Sequence, residues 1–517
     1  MTEIARRRFL AGAAGLLGGT AIAPALPRAA ASTATMVPLP GGQHAPGARW
    51  LEQENARPGT LAWMVSKPAP PGVLEGFATS TSIAQGEVLP LAIRAARPFR
   101  LAVYRMGFYQ GLGGRLIAQA NWRPAAHQPS SQLLEHNLVS CPWTPTVTLS
   151  HTGTWPPGCY LVKLTDEAGL ERWIPFTVRD DHSNAAFCFV NAVTTWQAYN
   201  QWGGYNLYNG PNAGPGGDTT RSNRARVVSF DRPYLAAAGS GDFFGNEFPV
   251  LYQAERYGLD LSYCTSVDLH TFPTRLAAHR CVLSMGHDEY WSRPMRAGVE
   301  QAIAAGTNVA LLGANFCYRQ IRFEPSAFGP DRHVVNYKSA AEDPMTAVHP
   351  SLSTVNWGQP PVNEPESLFS GSTYGSLNAN DPLVVTNPSA WLWAGTGVRA
   401  GTQLPGILIG EYNYFNPAEP GPRKVDVFAH SPIRASGGVA DVTYLALPGR
   451  GGVLATGAAH WIYATSASVR IPHAVFKPAI PTTTAVLLRA MANVYALFGA
   501  GPASTTHPSG GHRSVAP

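Results

Sequence analysis

Past its first 31 residues, the 517-residue chain has no cluster of lysine or arginine, no C-x-x-C pair, no internal repeat and no run of about twenty apolar residues. Each absence argues against a class. Without a basic cluster there is no electrostatic footprint for nucleic acid. Without paired cysteines at that spacing, structural zinc and thioredoxin-like exchange lose their usual signal. Without a long apolar run, no membrane span is expected after residue 31. No His-Glu-x-x-His word is present, which argues against a zinc peptidase, and no Gly-x-Cys-x-Gly elbow surrounds any of Cys141, Cys159, Cys188, Cys264, Cys281 and Cys317. In an oxidising compartment Cys141 and Cys159 are the pair expected to join, both lying in the β-rich first half.

What the chain does have begins at Ala5-Arg6-Arg7-Arg8-Phe9-Leu10, paired arginines followed by a weakly apolar, Gly/Ala-rich run to Ala25. This is a twin-arginine export pattern. Pro27-Arg28-Ala29-Ala30-Ala31 supplies a small-residue cleavage site, so residues 1–31 read as a signal peptide and the expected location is periplasmic or extracellular. Its removal takes away Arg6, Arg7, Arg8, Arg28 and Glu3, and the formal charge falls from +6 to about +3. The nearly balanced mature chain points to a small-molecule or carbohydrate-like partner, with homo-oligomerisation left open.

Residues 32–70 are rich in Pro, Gly and Ala and read as a linker or arm. Residues 71–180 carry short alternating strands, such as Phe99 to Arg105 and Cys159 to Leu164, and suggest an antiparallel immunoglobulin-like β-sandwich. Residues 181–500 alternate strands with helices, as a parallel-sheet α/β domain does. Between 325 and 405 few runs are periodic, so loops are expected there, with a helix near Pro350 or Leu368. The Gly/Ser/His-rich tail, 501–517, reads as disordered.

The chemistry concentrates at strand ends. The apolar run Cys281 to Gly286 stops at His287-Asp288-Glu289, and Ser292 and Pro294 then open a helix that Gly306 ends. The strand ending at Asn191 leads to Tyr199 and Tyr208, the one ending at Gly313 to Asn315, and a run ending at Gly410 to Glu411. In a parallel sheet the carboxyl ends share one edge, and that edge is where ligands bind.

The words Trp196-Gln197-Ala198-Tyr199-Asn200, Asn206-Leu207-Tyr208, Gly286-His287-Asp288-Glu289-Tyr290-Trp291-Ser292 and Gly313-Ala314-Asn315-Phe316 resemble the large subunit of N,N-dimethylformamidase and its relatives. The resemblance implies a sandwich followed by a glutamine-amidotransferase-like, Rossmann-like α/β domain that hydrolyses amide C–N bonds. It also implies a mononuclear Fe(III) site held by two tyrosines and a glutamate. Carried onto this chain these are Tyr199, Tyr208 and Glu289, with Tyr205 and Tyr234 as rivals for the second tyrosine. His287, Glu411 and Asn315 are the expected catalytic groups. Phenolates and a carboxylate suit a hard trivalent ion and balance its charge. The rival function is a non-catalytic glycan or cell-surface polymer binder, stacking sugars on Trp196, Trp202, Trp291 and Trp461.

Overall fold

The computed structural model describes residues 35–211, 223–466, 469 and 480–512. The expected signal peptide lies outside them. Two sheets fill the first half. Val147–Leu149, Leu89–Ala95 and Leu74–Ala78 form one; Ser82–Ala84, Glu171–Arg179, Gly158–Asp166, Phe99–Met106 and Gly114–Gln119 form the other. Inward residues of both, among them Leu91, Ile93, Leu101, Val103, Val162 and Phe176, meet in one apolar core. Each such side chain contributes about 1.5–3 kcal/mol when fully buried. Arg105, at the far end of the Phe99–Met106 strand, forks onto Glu255 at 2.7 and 3.0 Å and ties this half to the next.

The second half is built on a mixed seven-stranded sheet. Its strands are β1 (Phe187–Asn191), β2 (Leu261–Thr265), β3 (Cys281–Gly286), β4 (Asn308–Gly313), β7 (Asp426–Ile433), β8 (Gly438–Leu445) and β9 (Val453–Ala455), while β5 (Thr373–Val384) and β6 (Gln403–Tyr414) form a separate pair. The order is β2-β1-β3-β4-β9-β8-β7. The first five strands in that order pair in parallel; β8 and β7 return antiparallel. Helices α1 (Val193–Tyr199), α2 (Phe243–Asn246), α3 (Phe248–Arg256), α4 (Arg293–Ala304), α5 (Trp461–Thr465) and α6 (Pro481–Ala500) lie between or after the strands. Helix α4 begins where Ser292 caps it, the Ser292 hydroxyl accepting from the Met295 amide, and Pro294 occupies its first turn.

Several expectations are corrected. The supposed arm, 32–70, is packed: Thr35–Pro38 pairs with His44–Gly47, Arg49–Asn55 is helical, and the fully buried Trp63 stacks on Phe244 at 5.4 Å. A few large anchors hold it, which periodicity does not register. Residues 325–405 are mostly loops and turns, as expected, with strands among them that periodicity does not mark. Arg319–Ser326 pairs with Gly329–Val335, and β5 pairs with β6 through three register shifts that break the alternation a reader looks for. Only a 3-10 turn at Pro350–Leu352 and a single helical turn at Ser367–Ser370 answer the helices expected there.

Glu411 therefore lies within an antiparallel ribbon, not at the end of a parallel strand. The tail is ordered to residue 512, since Ser509 is buried and bonded to the Ala446 backbone. Helix α6 is long and apolar enough, by length and composition, to cross a membrane. Its Leu487, Met491, Tyr495 and Phe498 are fully buried in the core. Finally, all six cysteines are free thiols. Cys141 packs with Phe77, Trp143 and Trp202, whereas Cys159 belongs to a different core and bonds to Asn191, so the expected disulfide does not form.

Candidate metal and catalytic site

Strands β1, β3 and β4 are adjacent, and their carboxyl ends release Tyr199, His287 with Glu289, and Asn315 on one edge. Close approach there needs glycine. A Cβ on Gly313 would sit 1.7 Å from the Gly286 carbonyl oxygen, and Gly286 itself has φ of +58°. Helix α1 is stitched to the loop after β3. Thr195 accepts from the Glu289 and Tyr290 amides at 3.0 and 3.3 Å, and Thr194 donates to the Tyr290 carbonyl at 2.9 Å. Glu247 pins the start of α1 by accepting from the Ala192 amide and the Trp196 indole, each at 2.9 Å, and from Asn191. Burial pushes the Glu247 carboxyl up to about 8 despite those donors.

Asn206 explains the second tyrosine. Its Oδ1 accepts from the Tyr208 and Asn209 amides at 2.8 and 2.7 Å while its Nδ2 donates to the Tyr199 carbonyl at 3.1 Å, a side-chain-made turn that brings the two rings together. The rings stack with centroids 4.7 Å apart. Tyr199 Oη donates to Glu289 Oε2 at 2.7 Å, and Tyr208 Oη to Glu289 Oε1 and Oε2 at 2.8 and 3.0 Å. The rivals pack elsewhere: Tyr234 sets its ring on Trp196, and Tyr205 packs against the apolar cluster that holds Val139 and Trp202.

Burial, and then the Glu289 charge, push both phenols well above their ordinary value. Burial works against Glu289 too, yet His287, Lys338 and Arg319 hold its carboxyl down to about 2. The three side chains thus offer a buried set of hard oxygen donors packed at 2.7–3.0 Å from one another. Such donors suit a hard cation strong enough to displace the phenol protons.

Beside the oxygens His287 lies between two carboxylates. His287 Nε2 lies 3.3 Å from Glu289 Oε2 and 3.1 Å from Glu411 Oε2. Burial alone would lower its pKa, but Glu411 and Glu289 together raise it well above the ordinary imidazole value. Asn315, left-handed at φ of 56°, donates to Glu411 Oε1 at 2.8 Å, and its amide donates to Asn413 Oδ1 at 2.7 Å. In the β5–β6 ribbon the residues Leu377 and Asn378 both stand opposite Glu411, a bulge of the kind that re-aims a side chain. All six expected site residues are therefore brought together, Glu411 by a different route from the one expected.

Sequence reasoning missed three neighbours. Tyr290 Oη donates to Tyr208 Oη at 2.8 Å, Lys338 Nζ donates to Tyr290 Oη at 3.0 Å and lies 3.1 Å from the Tyr208 ring centroid, and Arg319 Nε is 3.4 Å from Glu289 Oε1. Tyr290 follows Glu289 in a word already singled out; Arg319 and Lys338 carry no local signal. Trp196, Trp202, Trp291 and Trp461 are all buried, so they offer no sugar-stacking surface. Cys317 is buried as well, and burial raises its thiol, which leaves it poorly suited as a nucleophile.

No curated protein matches the chain. Among solved structures, a Paenibacillus sp. cycloisomaltooligosaccharide glucanotransferase complexed with cycloisomaltoheptaose is similar at 8% identity. That match covers 76% of this chain and 69% of that one with a TM-score of 0.17, too low to carry any argument. The family model described as N,N-dimethylformamidase beta subunit-like, C-terminal, matches residues 100–471, which take in the later strands of the first two sheets, the whole oxygen cluster and Glu411. More than half of the chain is covered, and the chain belongs to the N,N-dimethylformamidase beta subunit-like family.

Proposed function

We propose that this chain is an exported hydrolase of amide C–N bonds working at a mononuclear ferric site. The observation that carries the reading is the convergence of the Tyr199, Tyr208 and Glu289 oxygens within 2.7–3.0 Å in a buried pocket. These three side chains would hold the ion, and the positive charges of Arg319 and Lys338 lie beside them. Bound there, ferric iron would supply Lewis acidity toward an amide carbonyl and toward water.

The chain's own groups handle the protons. Glu411, which Asn315 holds at 2.8 Å, takes the proton of the attacking water. His287, 3.1 Å from Glu411, passes it to the departing nitrogen, which must leave as a neutral amine. Asn315 Nδ2 lies 3.4 Å from His287 Nε2 and steadies both groups. The family membership supports amide hydrolysis, and the paired arginines at Arg6 to Arg8 support export to the periplasm or beyond. The same reading takes residues 71–180 as an immunoglobulin-like sandwich and 181–500 as a glutamine-amidotransferase-like, Rossmann-like domain; the shared core of the two first sheets and the parallel run β2-β1-β3-β4 support it.

Metal analysis with a visible spectrum is the test. One iron per chain and a tyrosinate charge-transfer band are expected from protein exported natively. Colourless, iron-free protein would sink the reading, as would full iron occupancy in Glu289→Ala.

A further inference from the structure

Tyr199 and Tyr208 meet Glu289 alike, yet their oxygens are unequally served from outside the cluster. The difference is Tyr290, a fully buried residue whose Oη lies 2.8 Å from Tyr208 Oη. Its backbone is pinned. The Tyr290 amide donates to Thr195 Oγ1 at 3.3 Å, its carbonyl accepts from Thr194 at 2.9 Å, and the strand Tyr290–Ser292 pairs in parallel with Arg319–Ser326. A sheltered ring on a fixed backbone holds its hydroxyl against Tyr208.

The direction of that contact follows from the next group along. Lys338 Nζ lies 3.0 Å from Tyr290 Oη, and an ammonium group can only donate. Tyr290 Oη accepts there with a lone pair, which leaves its single proton for Tyr208. Lys338 is itself set by a left-handed backbone, φ +58°, and by its amide, which donates to the Thr354 carbonyl at 2.8 Å. Among the described residues, Tyr199 Oη makes hydrogen bonds only to Tyr208 and Glu289. Once an ion replaces the Tyr199 and Tyr208 protons, the Tyr290 donor is still in place, and a hydrogen bond to an ionised oxygen is about twice as strong as a neutral one.

We propose that Tyr290 is a positioning residue for the metal centre, donating to the Tyr208 phenolate and not to that of Tyr199, so that the two tyrosinate ligands are unequal. The inference rests on the ferric reading of this site. A donor outside the ligand set orients the ring that it touches and tunes what that ring gives the ion. Here it draws electron density off Tyr208, which leaves the ion more acidic toward an amide carbonyl and raises the energy of charge transfer from that ring.

The test uses the full exported chain loaded with ferric iron. Tyr290→Phe keeps the ring and removes only the donor. It should move the tyrosinate band to longer wavelength and weaken iron binding by about tenfold to 100-fold, while Tyr205→Phe moves neither. Resonance Raman scattering excited in the band supplies a reading that needs no variant: the wild type should show two phenolate C–O stretches, of which one alone shifts in heavy water. Tyr290→Phe should abolish that shift; if this variant does not fold, the wild-type response decides. A band and a heavy-water response unchanged by Tyr290→Phe, or a single undivided stretch in the wild type, overturns the inference and leaves the ferric site standing. Wild-type protein without iron or tyrosinate colour overturns the ferric reading and this inference with it.

Discussion

The Tyr199 and Tyr208 hydroxyl oxygens stand 2.8 Å apart, both on the carboxylate of Glu289. Two phenols so close, in a buried place, have no use for each other's proton. A trivalent ion replacing those two protons would meet three side-chain oxygen groups already gathered in one place.

Replacing either ring oxygen tests that directly. Tyr199→Phe and Tyr208→Phe should each weaken iron binding by more than about 100-fold, beyond what a supporting partner contributes, and shift or bleach the visible band. Tyr205→Phe should leave both unchanged. A band that survives Tyr208→Phe but is lost in Tyr205→Phe or Tyr234→Phe would move the second ligand.

Glu411 is assigned to proton transfer and not to the metal. Glu411→Gln should keep iron content and colour while lowering kcat by about 10²–10⁴-fold. Loss of the iron together with the activity would place Glu411 among the donors.

His287 gives the metal-free protein a pH signature. Its ordinary value is 6.5, and Glu411 and Glu289 raise it in the folded state. The stabilisation from its charge is therefore complete below the unfolded value and is lost as pH rises through the raised folded value. Urea unfolding between about pH 6 and 10 should show a decline in the wild type that His287→Gln flattens. Parallel profiles for the two proteins would remove the His287 contribution.

Gly313 is a steric prediction. Its Cβ would meet the Gly286 carbonyl oxygen at 1.7 Å, a backbone atom that cannot swing aside. Gly313→Ala should cost about 3 kcal/mol or more, with iron loading impaired in what still folds. At Gly410, where an added Cβ meets open space, alanine should cost only the strain of φ +82°, about 1–2 kcal/mol. Thermal melts of the two variants separate these outcomes.

Much of the site was legible because each piece carries a local cause. A buried parallel strand must stop, and polar residues at the stop of β1, β3 and β4 share an edge by sheet geometry alone. What was not legible depends on contacts remote in sequence. Arg319 and Lys338 reach Glu289 and Tyr208 from a region whose strands are polar on one face and bulged. Trp63 and Ser509 order segments of unpromising composition by single anchors. Glu411 was found by its position after an apolar run, yet that run belongs to β6 and reaches the pocket from a separate ribbon.

The fork between Arg105 and Glu255 has a practical meaning. Both side chains are fully sheltered, and removing one partner of such a pair costs about 3–5 kcal/mol by leaving a naked charge in the interior. Cutting the chain after the sandwich would do that at a stroke, and would strip the cover from Phe244 and Phe248 as well. The first half of this chain is thus bound to the second through charge as well as apolar packing, and the two are expected to fold and melt together.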